Sequence, residues 1–182
     1  MKRMGELLIG MAILISVCFV GYIIIYNKFK RLVIEVEETS SGIDVALAKR
    51  YDLITNLVES VKGYVKHEKE VFEKVASIRN LLKSNRTEAK EEMDQSLGRI
   101  MMLVEAYPEL KADHQFLELQ KSLVDVEEHL QAARRLYNRK VAELNIKIHQ
   151  FPTNMIASSM SVEEKAFFSA SDEQKGNVEV NI

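Results

Sequence analysis

The sequence predicts an all-α protein: an N-terminal transmembrane helix followed by an antiparallel helical bundle of three long helices with a short C-terminal helical piece. Three observations predict it. Residues 7–26, "LLIGMAILISVCFVGYIIIY", hold no charged side chain. Beyond Ile43 the apolar residues recur in steps of three and four, the period of a helix with one buried face. Breakers are scarce, with two prolines and seven glycines among 182 residues, which suits long helices and not a turn-rich β fold.

The elements follow in order. Residues 1–6 form a short flank. Residues 7–26, opened by Leu7 and closed by Tyr26, cover about 30 Å as a helix, the thickness of a bilayer hydrocarbon core. Lys2 and Arg3 flank one side and Lys28, Lys30 and Arg31 the other, and Tyr22 and Tyr26 lie near the second boundary, where amphipathic rings are favoured. A cleavable signal would have a shorter apolar core and an A-x-A site beside it, and no such site adjoins the stretch. A lipoprotein signal is suggested by "ISVC", but Val17 stands where a small residue is wanted before Cys18. A retained single-pass anchor is therefore expected. The two-to-three basic balance favours keeping the C-terminal part in the cytoplasm.

Residues 27–42 read as a juxtamembrane connector that changes from basic ("NKFKR") to acidic ("EVEE"). Ser40, Ser41 and Gly42 fit either a flexible joint or a low-propensity patch in a continuing helix. Residues 43–157 form the bundle. Leu47, Tyr51, Ile54, Val58, Val61, Val65, Phe72 and Val75 mark a first helix expected to run to about Lys83. Asn85 and Glu88 have capping-box spacing before a second helix carrying Met93, Leu97, Ile100, Val104 and Tyr107, which Pro108 should end. The third helix, capped at Asp113, carries Phe116, Leu119, Leu123, Val126, Leu130, Ala133, Tyr137, Val141, Leu144 and Ile148 until Phe151-Pro152 stops it. Residues 158–182 form a C-terminal segment, partly helical or flexible, with Ser161 and Glu164 at capping-box spacing. A coiled-coil dimer shares the period, but three wide stripes in tandem favour an intramolecular bundle.

Composition narrows the function. Twenty-five basic against 27 acidic residues give a net charge of -2, which excludes a strongly basic nucleic-acid surface. A single cysteine excludes an internal disulfide and a cysteine zinc cage. His67-Glu68 begins the zinc motif H-E-x-x-H, but Val71 stands where the second histidine belongs. No histidine has Glu three residues before it, and no nucleophile elbow or phosphate loop is present. No catalytic residue, metal or cofactor is expected.

Charges on the core side are more informative. A helical wheel of the first bundle helix puts Arg50, Glu68 and Arg79 inside its apolar stripe, while Asp52, Asn56 and His67 point away. Glu105, Glu127 and Arg134 flank the opposing stripes as candidate partners. Pairing that fixes helix register is the favoured reading, since an unpaired buried charge costs roughly 3–5 kcal/mol. A polar pocket for a peptide or an anionic ligand is the other.

The stretch "GIDVALAKRYDLITNLVESVKGYVKHE", followed by "EAYPELKADHQFLELQ" and "AARRLYNRKVAELNIKIHQFPTNMIA", closely resembles LemA family proteins in order and spacing. Ser40 stands where the family often has tryptophan, and Thr55 where "DLIPNLV" would have proline. The resemblance implies a bacterial single-pass membrane protein with its N-terminus outside and its bundle in the cytoplasm, and no established catalysis, metal or cofactor. The expectation is a non-enzymatic scaffold or adaptor at the inner membrane surface, attached to the lipid bilayer through residues 7–26 and binding another protein. A sensor or carrier holding a small ligand or peptide near Arg50 and Glu68 is the alternative, and a hydrolase the least supported reading.

Overall fold

A computed structural model describes residues 2–64 and 69–168. Six helices follow one another: α1 Lys2–Lys62, α2 Lys69–Ser84, α3 Arg86–Glu105, α4 Pro108–Lys111, α5 His114–His149 and α6 Thr153–Ser159. No strand occurs among the described residues, and the protein is all-α. The apolar N-terminal stretch is long enough to cross a membrane.

The expected transmembrane helix and first bundle helix are one element. α1 continues through Ser40, Ser41 and Gly42, where Thr39 Oγ1 donates back to the carbonyls of Glu35 (2.9 Å) and Val36 (3.0 Å). A hydroxyl satisfied on its own helix does not compete with the helix.

The first bundle helix, expected to reach Lys83, is instead divided. α1 ends at Lys62, and the Tyr64 amide turns back to the Val61 carbonyl (2.9 Å) beside Gly63, a residue that costs a helix about 1 kcal/mol relative to alanine. α2 then begins a phase of its own, burying Val71, Val75 and Ile78. His67 and Glu68 lie outside the described residues.

Two expected caps form. Asn85 Oδ1 accepts from the Glu88 amide (3.3 Å) and Asp113 Oδ1 from the Phe116 amide (3.0 Å), each satisfying an otherwise orphaned helix donor. The box at Asn85 is only half closed: the Glu88 carboxylate takes the Asn85 side-chain amide (3.2 Å), because the Asn85 backbone N–H already donates to Leu81. Pro108 does not simply end α3, which stops at Glu105. It opens the short α4 at the first helical position, where a missing N–H costs nothing. The short C-terminal helical piece forms as α6, Thr153–Ser159, directly after Pro152, but the capping box expected at Ser161 does not, since no helix starts there. Ser161 has a φ of 50°, and Glu164 pairs with His149 instead of closing a capping box.

The chain forms two compact units. One comprises Met1–Thr39 and Leu136–Phe167. Here the end of α5 runs antiparallel to α1, with Lys140 beside Glu35 and Lys147 beside Lys28, and Phe29, Leu32, Val36, Val141, Leu144, Ile156 and Ala157 make the core. The other comprises Ser40–Arg135 and Phe168–Ile182. Its core draws Ile54, Leu57 and Val61 from α1, Val75 and Ile78 from α2, Met93 and Ile100 from α3, Leu110 from α4, and Phe116 and Val126 from α5. Within it α5 is again antiparallel to α1, and α2 is antiparallel to α3, Glu70 meeting Arg99 and Lys74 meeting Glu92.

Candidate functional site

Arg50 is the centre of the second unit's polar interior. It follows Leu47 by three residues on α1, so helical periodicity carries it under the same cover, and it is only 5% exposed. Its Nη2 donates to Asp94 Oδ1 on α3 at 2.6 Å, and its Nη1 pairs with Glu127 on α5. One guanidinium thus ties three helices, using the planar fork that suits two carboxylates at once.

The carboxylates are themselves shared. Asp94 Oδ2 accepts from Lys90 Nζ at 2.6 Å, one turn back on α3, and Glu127 Oε1 accepts from Gln131 Nε2 at 2.7 Å. Arg134, 9% exposed on α5, feels the Asp94 charge and lies over the Phe168 ring, its guanidinium carbon 4.8 Å from the centroid. Burial pushes both Arg50 and Arg134 below the ordinary arginine value, and Asp94 opposes that shift in each. The cations stay charged because the carboxylates replace the lost water.

Sequence reasoning singled out six residues, and the structure brings only some of them together. Arg50 and Glu127 are in direct contact, and Arg134 belongs to the same cluster through Asp94. Arg79 is exposed, contrary to its place on the wheel, because the break after Lys62 resets the helical phase before α2 begins. Glu105 is exposed as well, at the last residue of α3, where its neighbour Val104 takes the buried position. Glu68 lies outside the described residues.

Asp94 and Lys90 were missed. A signal for them was present: Lys90, Asp94, Leu97 and Met101 lie at helical spacing and make a second stripe on α3 beside the core stripe of Ala89, Met93, Ser96 and Ile100.

That second stripe leads into a groove of about 630 Å³ between α3 and α5, with Arg50 and Glu127 at one end. Leu97 and Met101 wall it from α3, Leu117 and Val124 from α5, and Lys121 contributes a charge. The walls are open to solvent, Val124 being 60% exposed. Its size falls in the range of small-molecule and short-peptide sites, and its chemistry is mainly apolar. Among the described residues no three His, Cys, Asp or Glu side chains converge as a metal site.

The first unit carries a contrasting cluster. Glu35 accepts from Lys140 Nζ (2.7 Å) in a partly buried pair and from Arg31 Nε (2.8 Å) at the surface. The hydrogen bond from Lys140, then that from Arg31, holds the Glu35 carboxyl below the usual carboxylate range, and the same bond raises Lys140.

An apolar helix able to cross a bilayer, continuous with bundle segments whose interior charges are neutralised from three helices, defines a membrane-associated all-α protein. The sequence model of the LemA family matches residues 39–182, and the chain belongs to that family. It is 27% identical over 173 residues to Protein LemA of Metamycoplasma hominis, covering 92% of this chain and 79% of that one. It is 22% identical over 203 residues to the magnetosome protein MamQ of Magnetospirillum gryphiswaldense, covering 92% and 75%. A shorter match, 30% over 73 residues, relates it to magnetosome protein MamQ 2 of Paramagnetospirillum magneticum, covering 40% of this chain and 27% of that protein.

Proposed function

We propose that the protein is a non-catalytic, membrane-tethered scaffold or adaptor of the bacterial inner membrane, with the N-terminus outside, the bundle in the cytoplasm, and the α3–α5 groove as the place where another protein binds. The observation that carries this reading is the groove itself: an apolar, solvent-open channel with the ion-paired Arg50 and Glu127 at one end. Exposed apolar walls of this kind mark sites where a partner or ligand docks. Arg50 supports a scaffold over a carrier of anions, since Asp94 and Glu127 already engage its two terminal nitrogens. The magnetosome names of two relatives suggest, for this chain, a role within an assembly at a membrane.

A photoreactive side chain placed at Val124 in the full chain, irradiated in cells, tests the proposal. A discrete protein adduct that disappears when Leu117→Glu is added is expected. Failure of Val124 to form any protein adduct, with the anchor retained in the membrane, refutes the adaptor reading. The alternative is a small ligand or peptide bound beside Arg50, favoured by Arg50 Nε, which has no hydrogen-bond partner among the described residues. Native mass spectrometry of the full chain in nanodiscs distinguishes it by a bound small mass that Arg50→Met removes.

A further inference from the structure

We infer that the corner between α5 and α6, with Phe151 at its tip, is a second membrane contact that inserts into the bilayer interface beside the anchor helix. The register within the first unit places it there. Lys140 pairs with Glu35, and seven residues further along α5 Lys147 faces Lys28, seven residues back along α1. The same antiparallel step sets His149 level with Tyr26 and the corner at Phe151 level with Ile24. Those are the last residues of the charge-free stretch 7–26.

Burial along α1 gives independent support. Ile25 and Tyr26, though part of the apolar stretch, are partly covered because they pack against the core made by Phe29, Leu144 and Ile156. Ile25, Lys28, Phe29 and Leu32 share a cleft with Lys147 and Thr153, so the α5–α6 junction lies alongside the last turn of the apolar stretch. Thr153 Oγ1 fastens the junction by donating to the carbonyls of Lys147 (2.6 Å) and Gln150 (2.7 Å).

The corner's surface has the chemistry of an interfacial element. Phe151 is 76% exposed, and Met155 on α6 is 65% exposed. In water two such side chains at one tip are unfavourable, whereas at the headgroup level an apolar ring flanked by cations is favoured. The cations are present: Lys28, Lys30 and Arg31 on α1 and Lys147 on α5, with Lys30 Nζ 5.9 Å from the Tyr26 ring centre. Of the acids nearby, Glu164 is paired with His149, Glu35 with Lys140 and Arg31, and Glu143 with Lys140, while Glu163 is exposed beside Glu164. The occupant is therefore the bilayer interface, continuous with the lipid that surrounds residues 7–26. Anchor and corner together hold the first unit at two points, which fixes its rotation about the anchor axis as one helix alone cannot.

The chain contains no tryptophan, so each single substitution is a clean fluorescent probe. Full-length Phe151→Trp, Tyr22→Trp and Glu143→Trp would be compared in nanodiscs of phosphatidylcholine and phosphatidylglycerol, with bromine on the acyl chains near the headgroup or near the chain end. Glu143 lies about 12 Å further from the bilayer along α5. Expected is a blue-shifted Phe151→Trp emission that falls about twofold with headgroup-proximal bromine and less with distal bromine. Tyr22→Trp should also be quenched by bromine, and Glu143→Trp should be quenched only by aqueous iodide. If Phe151→Trp behaves like Glu143→Trp while Tyr22→Trp is quenched by bromine, the second contact is overturned and the anchor stands. If Tyr22→Trp also escapes bromine, the anchor reading fails and takes this one with it. Should Phe151→Trp lose helical content, Met155→Trp carries the same test with the same two outcomes.

Discussion

The two units solve the same electrostatic problem in opposite ways. In the second, a cation is the hub: Arg50 is buried, and Asp94 and Glu127 reach it from other helices. In the first, an anion is the hub: Glu35 is half-buried, and Arg31 and Lys140 reach it from its own helix and from α5. Both pair α1 with α5, yet their energetic meaning differs. A buried hub has exchanged its water for protein partners and depends on them wholly. A surface hub keeps part of its hydration, so its pairs contribute little and are screened by salt. What binds α1 to α5 in the first unit is therefore the apolar core around Phe29 and Leu144, while in the second the charges also specify how three helices meet.

The largest effect should come from taking away the carboxylates and leaving the cation. Asp94→Asn with Glu127→Gln keeps shape and removes the counter-charges of a guanidinium that is 6% exposed. A loss of roughly 3–5 kcal/mol is expected, read as a lowered denaturant midpoint and faster amide exchange in α3 and α5. An unchanged midpoint would mean that water reaches Arg50, and the contrast between the hubs would be gone. The contrast is sharpened by replacing the hub entirely. Arg50→Met with Asp94→Leu and Glu127→Leu should recover most of that loss, because a buried ion pair often does no better than apolar side chains of similar volume. If the triple variant is as unstable as the double, packing around these side chains matters more than their charge.

Much of this architecture was legible in the sequence, and the reasons are local. The charge-free residues 7–26, the stripes of α3 and α5, and the caps at Asn85 and Asp113 all rest on interactions within a few residues of one another. Arg50 was legible because an arginine three residues after Leu47 interrupts an otherwise apolar face. Arg79 was misplaced for the complementary reason: a wheel carries its phase only as far as the helix is continuous, and α1 stops at Lys62. Asp94 and Lys90 escaped notice because they are ordinary charged residues on α3 until Arg50 arrives from α1. Lys90 is buried and Asp94 partly covered only in the assembled unit, and the stripe they share with Leu97 and Met101 resembles a solvated face until then. The groove was illegible for the same reason, since Leu97 reads as core until α3 and α5 are seen to leave a gap between them.

The smallest effect belongs to the surface hub, and its pH dependence gives it a signature. Glu35 is held below its ordinary value by Lys140 and Arg31, so the folded chain favours the carboxylate more than the unfolded chain does. Its contribution is complete above the ordinary carboxylate range and disappears as pH falls through the lowered folded value. Lys140 is raised by Glu35, so its contribution is complete below the ordinary lysine range and is lost as pH rises through the raised folded value. Glu35→Gln should flatten both limbs of the first unit's stability–pH profile, with a change at neutral pH well below that of Asp94→Asn with Glu127→Gln. Amide exchange along residues 136–149, followed from neutral pH into the carboxylate range, reads the acid limb directly. Added salt should erase the difference between wild type and Glu35→Gln, because both partners of Glu35 are within reach of solvent ions. The Arg50 cluster should be far less sensitive to the same salt. A Glu35→Gln effect that survives high salt would show that the first unit buries its charges as the second does.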